Sequence, residues 1–345
     1  MADAEIFLVS VGTALPGPPI DNARLGALFR SGPVFEQWIN SFIGTRTRHL
    51  AVDLDTGEIE YTLADLGETA GRKAMAAAGL TAADIDLVVM GTATPDALMP
   101  ATVNLIADRL GIDGVPTYQL QSGCSGAVQA MDVAHQMLST GRHRTALVLG
   151  GDVCAKHVDL SIDFAKLPPE QLINTVLFGD GAGAVVLTTR PAAEQPIRLR
   201  RVLIRFTGLN RPPGQSVEWF GMGDRHDDRI AFAEDFKAIE ESVPVMAGEI
   251  LQELLKEEGW APADLDYLLP PQLSVRMTEQ IVRGLDAGDA REISCIADIG
   301  NAANALPFFQ LDLLLPEMTP GAKAVAVAVE SSKWIKAGFV LEKTR

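Results

Sequence analysis

An α/β fold built from two similar halves is the architecture this sequence predicts. Short apolar runs of strand length alternate with alanine-rich stretches of helical spacing, the pattern of helices laid on largely buried sheets. The segment Gly79-Leu-Thr-Ala-Ala-Asp-Ile-Asp-Leu87 recurs 180 residues later as Gly259-Trp-Ala-Pro-Ala-Asp-Leu-Asp-Tyr267. At the same offset, Gly141 and the run Thr145–Leu149 match Gly321 and Val325–Val329. Two separated matches at one offset argue for duplication, and two copies are too few for a solenoid. The chain has 345 residues, 47% hydrophobic and 21% charged, enough for two core units. The halves are placed at 1–190 and 191–345.

In chain order, Ile6–Val11 is an apolar run closed by Gly12 and reads as the first strand. Gly71–Ala78 reads as a helix, and Leu87–Met90 as a buried strand entered from the turn-like Thr81–Asp86. Tyr118 and Leu120 belong to a strand before the helix Ser125–Leu138, where Val128, Met131, Ala134 and Leu138 keep helical spacing. Thr145–Leu149 and Ala324–Val329 are further strands. Pro168-Pro169, Pro212-Pro213 and Pro270-Pro271 mark turns or strand ends. Arg205–Arg229 mixes glycine, proline and charge and reads as a surface excursion or lid-like loop.

The net charge of −16 repels phosphate backbones and anionic lipid, which argues against nucleic-acid and membrane partners. No apolar run approaches the roughly 20 residues of a bilayer span, and the N-terminus lacks the basic segment of a signal peptide. Three cysteines, Cys124, Cys154 and Cys295, form neither a disulfide framework nor metal-ligand spacing, so a reducing cytoplasm and no metal are expected.

The sharpest local feature is Gln121-Ser-Gly-Cys124-Ser-Gly126, which joins a strand to a helix. A thiol at a helix N-terminus meets the positive dipole end and free backbone N–H groups, and both favour thiolate. A buried structural cysteine is the other reading of the same residues. The run Gly179-Asp-Gly-Ala-Gly183 precedes strand-like Val185–Thr189, so a nucleotide-binding loop, which opens a helix, is rejected.

Gln121-Ser-Gly-Cys124-Ser-Gly-Ala127 resembles the nucleophile segment of the ketoacyl-acyl-carrier-protein synthase III (KAS III) family of the thiolase superfamily. Glu36-Gln-Trp-Ile39 with Gly44-Thr-Arg-Thr-Arg-His-Leu50, Leu177-Phe-Gly-Asp-Gly-Ala-Gly-Ala-Val-Val-Leu187, Ala263–Pro270 and Ile299-Gly-Asn301 are similar to further signatures of that family, in the family's order. The resemblance implies a thiolase-like, five-layered αβαβα fold, a homodimer, and catalysis by Cys124 with Asn301.

One family motif is broken. Decarboxylating members carry a histidine in a Pro-His-Gln-Ala-Asn motif, and this chain reads Pro270-Pro271-Gln272-Leu273-Ser274. Proline offers no side-chain donor and no titratable group. Losing one oxyanion donor typically costs about 10²–10³ in rate, whereas acyl transfer needs fewer. The expected activity is therefore that of the KAS III-like acyltransferases of antibiotic pathways. An aromatic or short acyl group would pass from a polyketide synthase carrier domain, an acyl carrier protein or coenzyme A to Cys124. From there it would pass to an amine, such as an aminocyclitol or aminosugar, or to a carrier thiol. A decarboxylating synthase and a non-catalytic, ketosynthase-like partner subunit are the alternatives.

The resemblance also implies roles for other residues. Backbone N–H groups of Cys124 and of the Glu330-Ser331-Ser332 loop, with Ser331 central, would hold the oxyanion. Cys154 would line the acyl pocket, as would Met99 from a partner subunit. Trp38 would meet the donor, and Arg276, helped by Arg46, Arg48 and Arg283, would dock the carrier. Lys156–Leu167 lacks the family's coenzyme A arginine, which shifts the expected donor toward a carrier protein. His157 and His226 are the candidates for an auxiliary base. No cofactor is expected.

Overall fold

Apolar runs with alternating facing build a mixed sheet of ten strands, β12-β11-β13-β14-β8-β1-β7-β6-β4-β5. In chain order the strands are β1 Phe7–Ala14, β2 Ile20–Asp21, β3 Thr47–Arg48, β4 Leu87–Thr92, β5 Thr117–Gln121, β6 Thr145–Asp152 and β7 Gly181–Thr188. They continue as β8 Ile197–Phe206, β9 Gln215–Val217, β10 Phe232–Glu234, β11 Tyr267–Leu269, β12 Arg291–Glu292, β13 Lys323–Glu330 and β14 Ile335–Lys343. The computed structural model describes residues 4–29, 32–157, 173, 176–191, 194–218 and 232–345.

The duplication is visible in the topology. Strands β5-β4-β6-β7-β1 repeat as β12-β11-β13-β14-β8, each set with three parallel strands followed by antiparallel ones. Only two residue pairs, Phe7↔Arg198 and Leu8↔Ile197, join the sets. The recurrent segment forms matching 3₁₀ turns, Ala82–Asp84 and Pro262–Asp264, each entered through a left-handed glycine, Gly79 at φ 67° and Gly259 at φ 68°. Asp86 and Asp266 then cap the neighbouring strands, accepting from Thr145 N at 3.0 Å and Lys323 N at 2.8 Å.

The helices among the described residues are α1 Asn22–Leu28, α2 Gly32–Trp38, α3 Leu63–Ala77, α4 Thr102–Leu110, α5 Gly126–Ser139, α6 Phe236–Glu258, α7 Val275–Gly284, α8 Ile296–Ile299 and α9 Leu306–Leu314. Period-two alternation sends strand side chains to opposite faces. Val89 and Val148 point at a central layer of α5 and α9, where Met131, Phe308 and Leu311 also meet Ala326 and Phe339 of the second strand set. Val88 and Leu147 point outward to α3 and α4. Val325 and Val340 point to α6 and α7 on the opposite side. Helix, sheet, helix, sheet and helix layers follow, as the resemblance implies.

Several local expectations shift. The predicted helix Gly71–Ala78 begins at Leu63, because Thr62 and Asp65 form a reciprocal capping box. The first strand starts one residue later than predicted and continues to Ala14. Within Arg205–Arg229, β8 persists to Phe206 and β9 occupies Gln215–Val217, while 219–229 fall outside the described residues. The glycine run leads into strand β7. Arg198, Arg200, Arg201 and Arg205 are each paired with glutamates, mostly on α6, so this run forms no free basic patch. No described helix is long and apolar enough to cross a membrane.

Candidate active site

The turn Ser122–Ser125 carries Cys124 from the end of β5 to the first turn of α5. Gly126 N donates to Gly123 O at 2.9 Å and closes it. The helix start is pressed against β4, where a side chain on Gly91 would stand 2.2 Å from Gly126 O. Asn304 fastens the turn from the other half. Its Oδ1 accepts from Ala127 N at 2.9 Å, and its Nδ2 donates to Ser122 O at 3.2 Å and Asp152 Oδ2 at 2.8 Å. Asn304 stands 180 residues after Cys124, so the offset that revealed the duplication also marks the residue pseudo-equivalent to the nucleophile.

Glu330, at the end of β13, is a second buried residue that sequence reasoning left without a role. Its Oε2 accepts from Ser122 Oγ at 2.6 Å and Ser125 Oγ at 2.5 Å, and its Oε1 accepts from Ser332 Oγ. Gln129 Nε2 donates to the same two serine hydroxyls, at 2.6 and 2.8 Å. A carboxylate is thus fastened beside the nucleophile turn. The sequence signal was an acidic side chain at the head of the Glu330-Ser331-Ser332 loop, whose backbone alone was given a role.

These charges overturn one expectation. Burial first, then the carboxylates of Glu330, Asp152 and Glu234, push the Cys124 thiol up to about 12. Helix-terminal stabilisation of thiolate is outweighed, because the dipole acts as about half a charge and three carboxylates oppose it. At neutral pH the resting group is a thiol.

Cys124, Pro271, Gln272, Asn301, Leu306 and Val327 line one small cavity, about 30 Å³ and room for one or two waters. The structure therefore brings Cys124 and Asn301 together and puts Pro271 beside them. Asn301 is held by main-chain bonds to Leu177 and Gly179, and its Oδ1 accepts from Ala303 N at 3.1 Å. Gln272, next to the missing histidine, is committed elsewhere. Its Nε2 donates to Ile293 O at 3.2 Å, and its Oε1 accepts from Cys295 N at 3.1 Å. The Glu330–Ser332 loop contains none of the positive-φ residues, so its shape suits side-chain-bearing residues.

The remaining predicted residues lie in several places. Cys154 follows β6; its N–H donates to Asp180 Oδ1 at 2.7 Å, and burial raises its thiol pKa. It lies near Cys124 and outside the cavity lining. Met99 is 87% exposed and away from the cavity. Trp38 stacks on Phe35 at 5.9 Å, with Phe42 beyond it. Arg276 Nε donates to Ser41 O at 3.2 Å, which sets it beside that aromatic row. Arg46 pairs with Asp298, and Arg283 Nε donates to Glu279 O at 3.1 Å. Arg48 is fully buried, donating to Asn22 Oδ1 at 2.6 Å and Val176 O at 2.9 Å, so it cannot dock a carrier as expected. His157 is held neutral chiefly by burial and then by Lys156; it does not line the cavity. His226 lies outside the described residues.

Comparison with known proteins places this geometry. Residues 118–202 match the profile of 3-oxoacyl-[acyl-carrier-protein (ACP)] synthase III. The chain is 30% identical over 310 residues to a β-ketoacyl-[acyl-carrier-protein] synthase III of Xanthomonas campestris pv. campestris, covering 88% of both chains. Among solved structures it resembles AbyA1, a tetronic acid condensing enzyme, at 55% identity and TM-score 0.94, covering 98% of this chain and 99% of that one. It also resembles the priming β-ketosynthase of the R1128 polyketide pathway, at 25% identity and TM-score 0.81, covering 99% and 97%.

Proposed function

This chain belongs to the β-ketoacyl-[acyl-carrier-protein] synthase III family, and we propose that it condenses two thioesters into a tetronic acid ring without decarboxylation. A tetronic acid ring holds one ester oxygen and four carbons. Opening the ester and the C3–C4 bond of such a ring bearing an acyl group on C3 leaves a 2-hydroxyacyl thioester and a β-ketoacyl thioester. Cys124 attacks the first, releases its thiol and holds the acyl group. The α-carbon of the second, flanked by two carbonyls, loses a proton and attacks that acyl carbonyl. A carbon–carbon bond forms, and Cys124 Sγ departs and regains a proton. The substrate hydroxyl then attacks the remaining thioester, closes the ring and releases the second thiol. Nothing is oxidised or reduced, and no carbon dioxide forms.

The likeness to a tetronic acid condensing enzyme, 55% identical over 98% of this chain, is the observation that carries this reading, and Pro271 on the Cys124–Asn301 cavity is compatible with it. A malonyl thioester must pass through an enolate that calls for a donor pair. A β-ketoacyl thioester is acidified by its own two carbonyls and needs only a base. Backbone N–H groups of Cys124 and Ser331 would receive the tetrahedral oxyanion, and Asn301 would donate to the second carbonyl. Trp38 and Arg276, set side by side at the surface, would receive an acyl carrier protein or polyketide synthase carrier domain. The edge strand β5 with exposed Tyr118, and exposed Leu98 and Met99, would face a second copy in a homodimer. A cytoplasmic enzyme fits this chemistry.

Pro271 equally favours a second reading, transfer of the Cys124-bound acyl group to an amine or a carrier thiol. One experiment separates the readings. The enzyme is incubated with a carrier-bound 2-hydroxyacyl thioester and a β-ketoacyl thioester, then with malonyl, amine and carrier-thiol acceptors. We expect a ring product by mass spectrometry, two equivalents of released thiol, no carbon dioxide, and loss of product in Cys124→Ala. An amide or thioester product supports the second reading. Carbon dioxide with a β-keto product supports a decarboxylating synthase and refutes both.

A further inference from the structure

Condensation without the motif histidine leaves a proton to be removed. No described histidine lines the Cys124–Asn301 cavity, although His157 Nε2 is buried without a hydrogen-bond partner among the described residues. His49 Nδ1 lies 3.1 Å from the carbonyls of both Pro16 and Gly17, and His143 Nδ1 lies 3.0 Å from Asp86 O. Three carboxylates act on the Cys124 sulfur instead: Glu330, Asp152 and Glu234. Their oxygens differ in occupancy. Both oxygens of Glu330 accept serine hydroxyls. Asp152 Oδ1 accepts from Thr92, Ala93 N and Thr94, and its Oδ2 accepts from Asn304. Glu234 differs: Oε1 is held by Gln215 Nε2, while Oε2 is buried and has no hydrogen-bond partner among the described residues.

The backbone docks the hairpin that carries Glu234 against the Ser331 loop, next to the Cys124–Asn301 cavity whose lining does not include Glu234 itself. Glu234 ends β10 directly opposite Gln215 of β9. The hairpin is docked through Gly214, whose N–H donates to Ser331 O at 3.0 Å and whose carbonyl accepts from Asp235 N at 2.8 Å. A side chain at Gly214 would stand 2.9 Å from Ser331 O, so the contact is tight. A buried carboxylate oxygen without a donor costs folding energy and marks a site where strain serves a function.

We propose that Glu234 is the general base of the condensation, taking the α-proton of the β-ketoacyl acceptor and returning it to the departing Cys124 sulfur. The C–H proton passes to Glu234 as the carbon–carbon bond forms. It then passes to Sγ as the carbon–sulfur bond breaks, so the carboxylate is regenerated and no co-reactant is consumed. Burial pushes the Glu234 carboxyl up to about 7, a value matched to proton transfer near neutral pH. Glu330 and Asp152 act with Glu234 on Cys124; Asp235 follows Glu234 in the chain, and the cations nearest the docked hairpin are Arg211 and Lys333. Arg211 is taken up by Ser242 and the Trp334 ring, and Lys333 by Arg211 O.

This inference rests on the condensation reading, and the test separates the two. Wild type and Glu234→Gln are first acylated at Cys124 and weighed intact, then mixed with the β-ketoacyl thioester in a single turnover. Both proteins should acylate, the variant no more slowly than wild type because loss of one opposing carboxylate lowers the Cys124 thiol pKa, which shows the variant folded. The second step should fall about 10²-fold or more in the variant, the usual range for a general base. Its rise with pH through about 7 should vanish in the variant, since a base acts only when deprotonated. Glu234→Asp should restore part of both. An unchanged second step, or an unchanged pH rise, overturns the assignment of Glu234 alone. A wild-type enzyme that acylates and never condenses overturns the condensation reading and the base with it.

Discussion

At Cys124 the local sequence and the surrounding charges pull in opposite directions. The helix start favours thiolate, while burial and three carboxylates favour thiol and win. Acylation then needs the thiol proton to leave as substrate arrives, and a resting enzyme protected from stray electrophiles follows. Glu330→Gln removes one anion while keeping the shape of the serine network. A weaker opposing charge lowers the thiol pKa, so more thiolate exists at any given pH. Alkylation of Cys124 by iodoacetamide at pH 8 should speed up roughly tenfold in that variant. An identical alkylation rate across pH would show that Glu330 does not control the sulfur.

At the scale of elements, the nucleophile is placed by one close crossing. Strand β4 meets the first turn of α5 at Gly91, where any side chain would drive into the Gly126 carbonyl. Gly91→Ala should cost about 1–3 kcal/mol, the range for overpacked sites, read from urea denaturation. The same change should slow acylation, because the turn carrying Cys124 must shift. Capping chemistry sets the other boundaries. The Thr62–Asp65 box starts α3 eight residues ahead of the position read from alanine content alone, a signal available in the sequence and outweighed there by composition.

For the whole molecule, two strand sets share one core layer and, among the described residues, two strand-to-strand pairs. Main-chain bonds of Asn301 to Leu177 and Gly179 add to that join, and the shared layer is built on α5 and α9, which start at Gly126 and Leu306, 180 residues apart. The charge of −16 leaves carrier docking to local cations, and Arg276 keeps 52% of its side chain exposed despite its contact with Glu279. The proposed homodimer belongs to this scale. Tyr118→Lys, at the exposed edge strand β5, should shift the protein toward monomer in sedimentation velocity at micromolar concentration, with its helical circular dichroism retained. A dimer unaffected by that charge would place the interface elsewhere.

The sequence by itself determined the duplication, the α/β layering, the strand-to-helix turn of Cys124, and the loss of histidine at Pro271. Each of these is written in local spacing or residue identity, which chain order preserves. Only the tertiary structure decided the protonation of Cys124 and the hold of Asn304 and Glu330 on its turn. It alone buried a Glu234 oxygen that has no hydrogen-bond partner among the described residues. Those properties come from groups more than a hundred residues apart in the chain, brought together in a medium of low dielectric, where a neighbour's charge outweighs the helix end that the local sequence supplies.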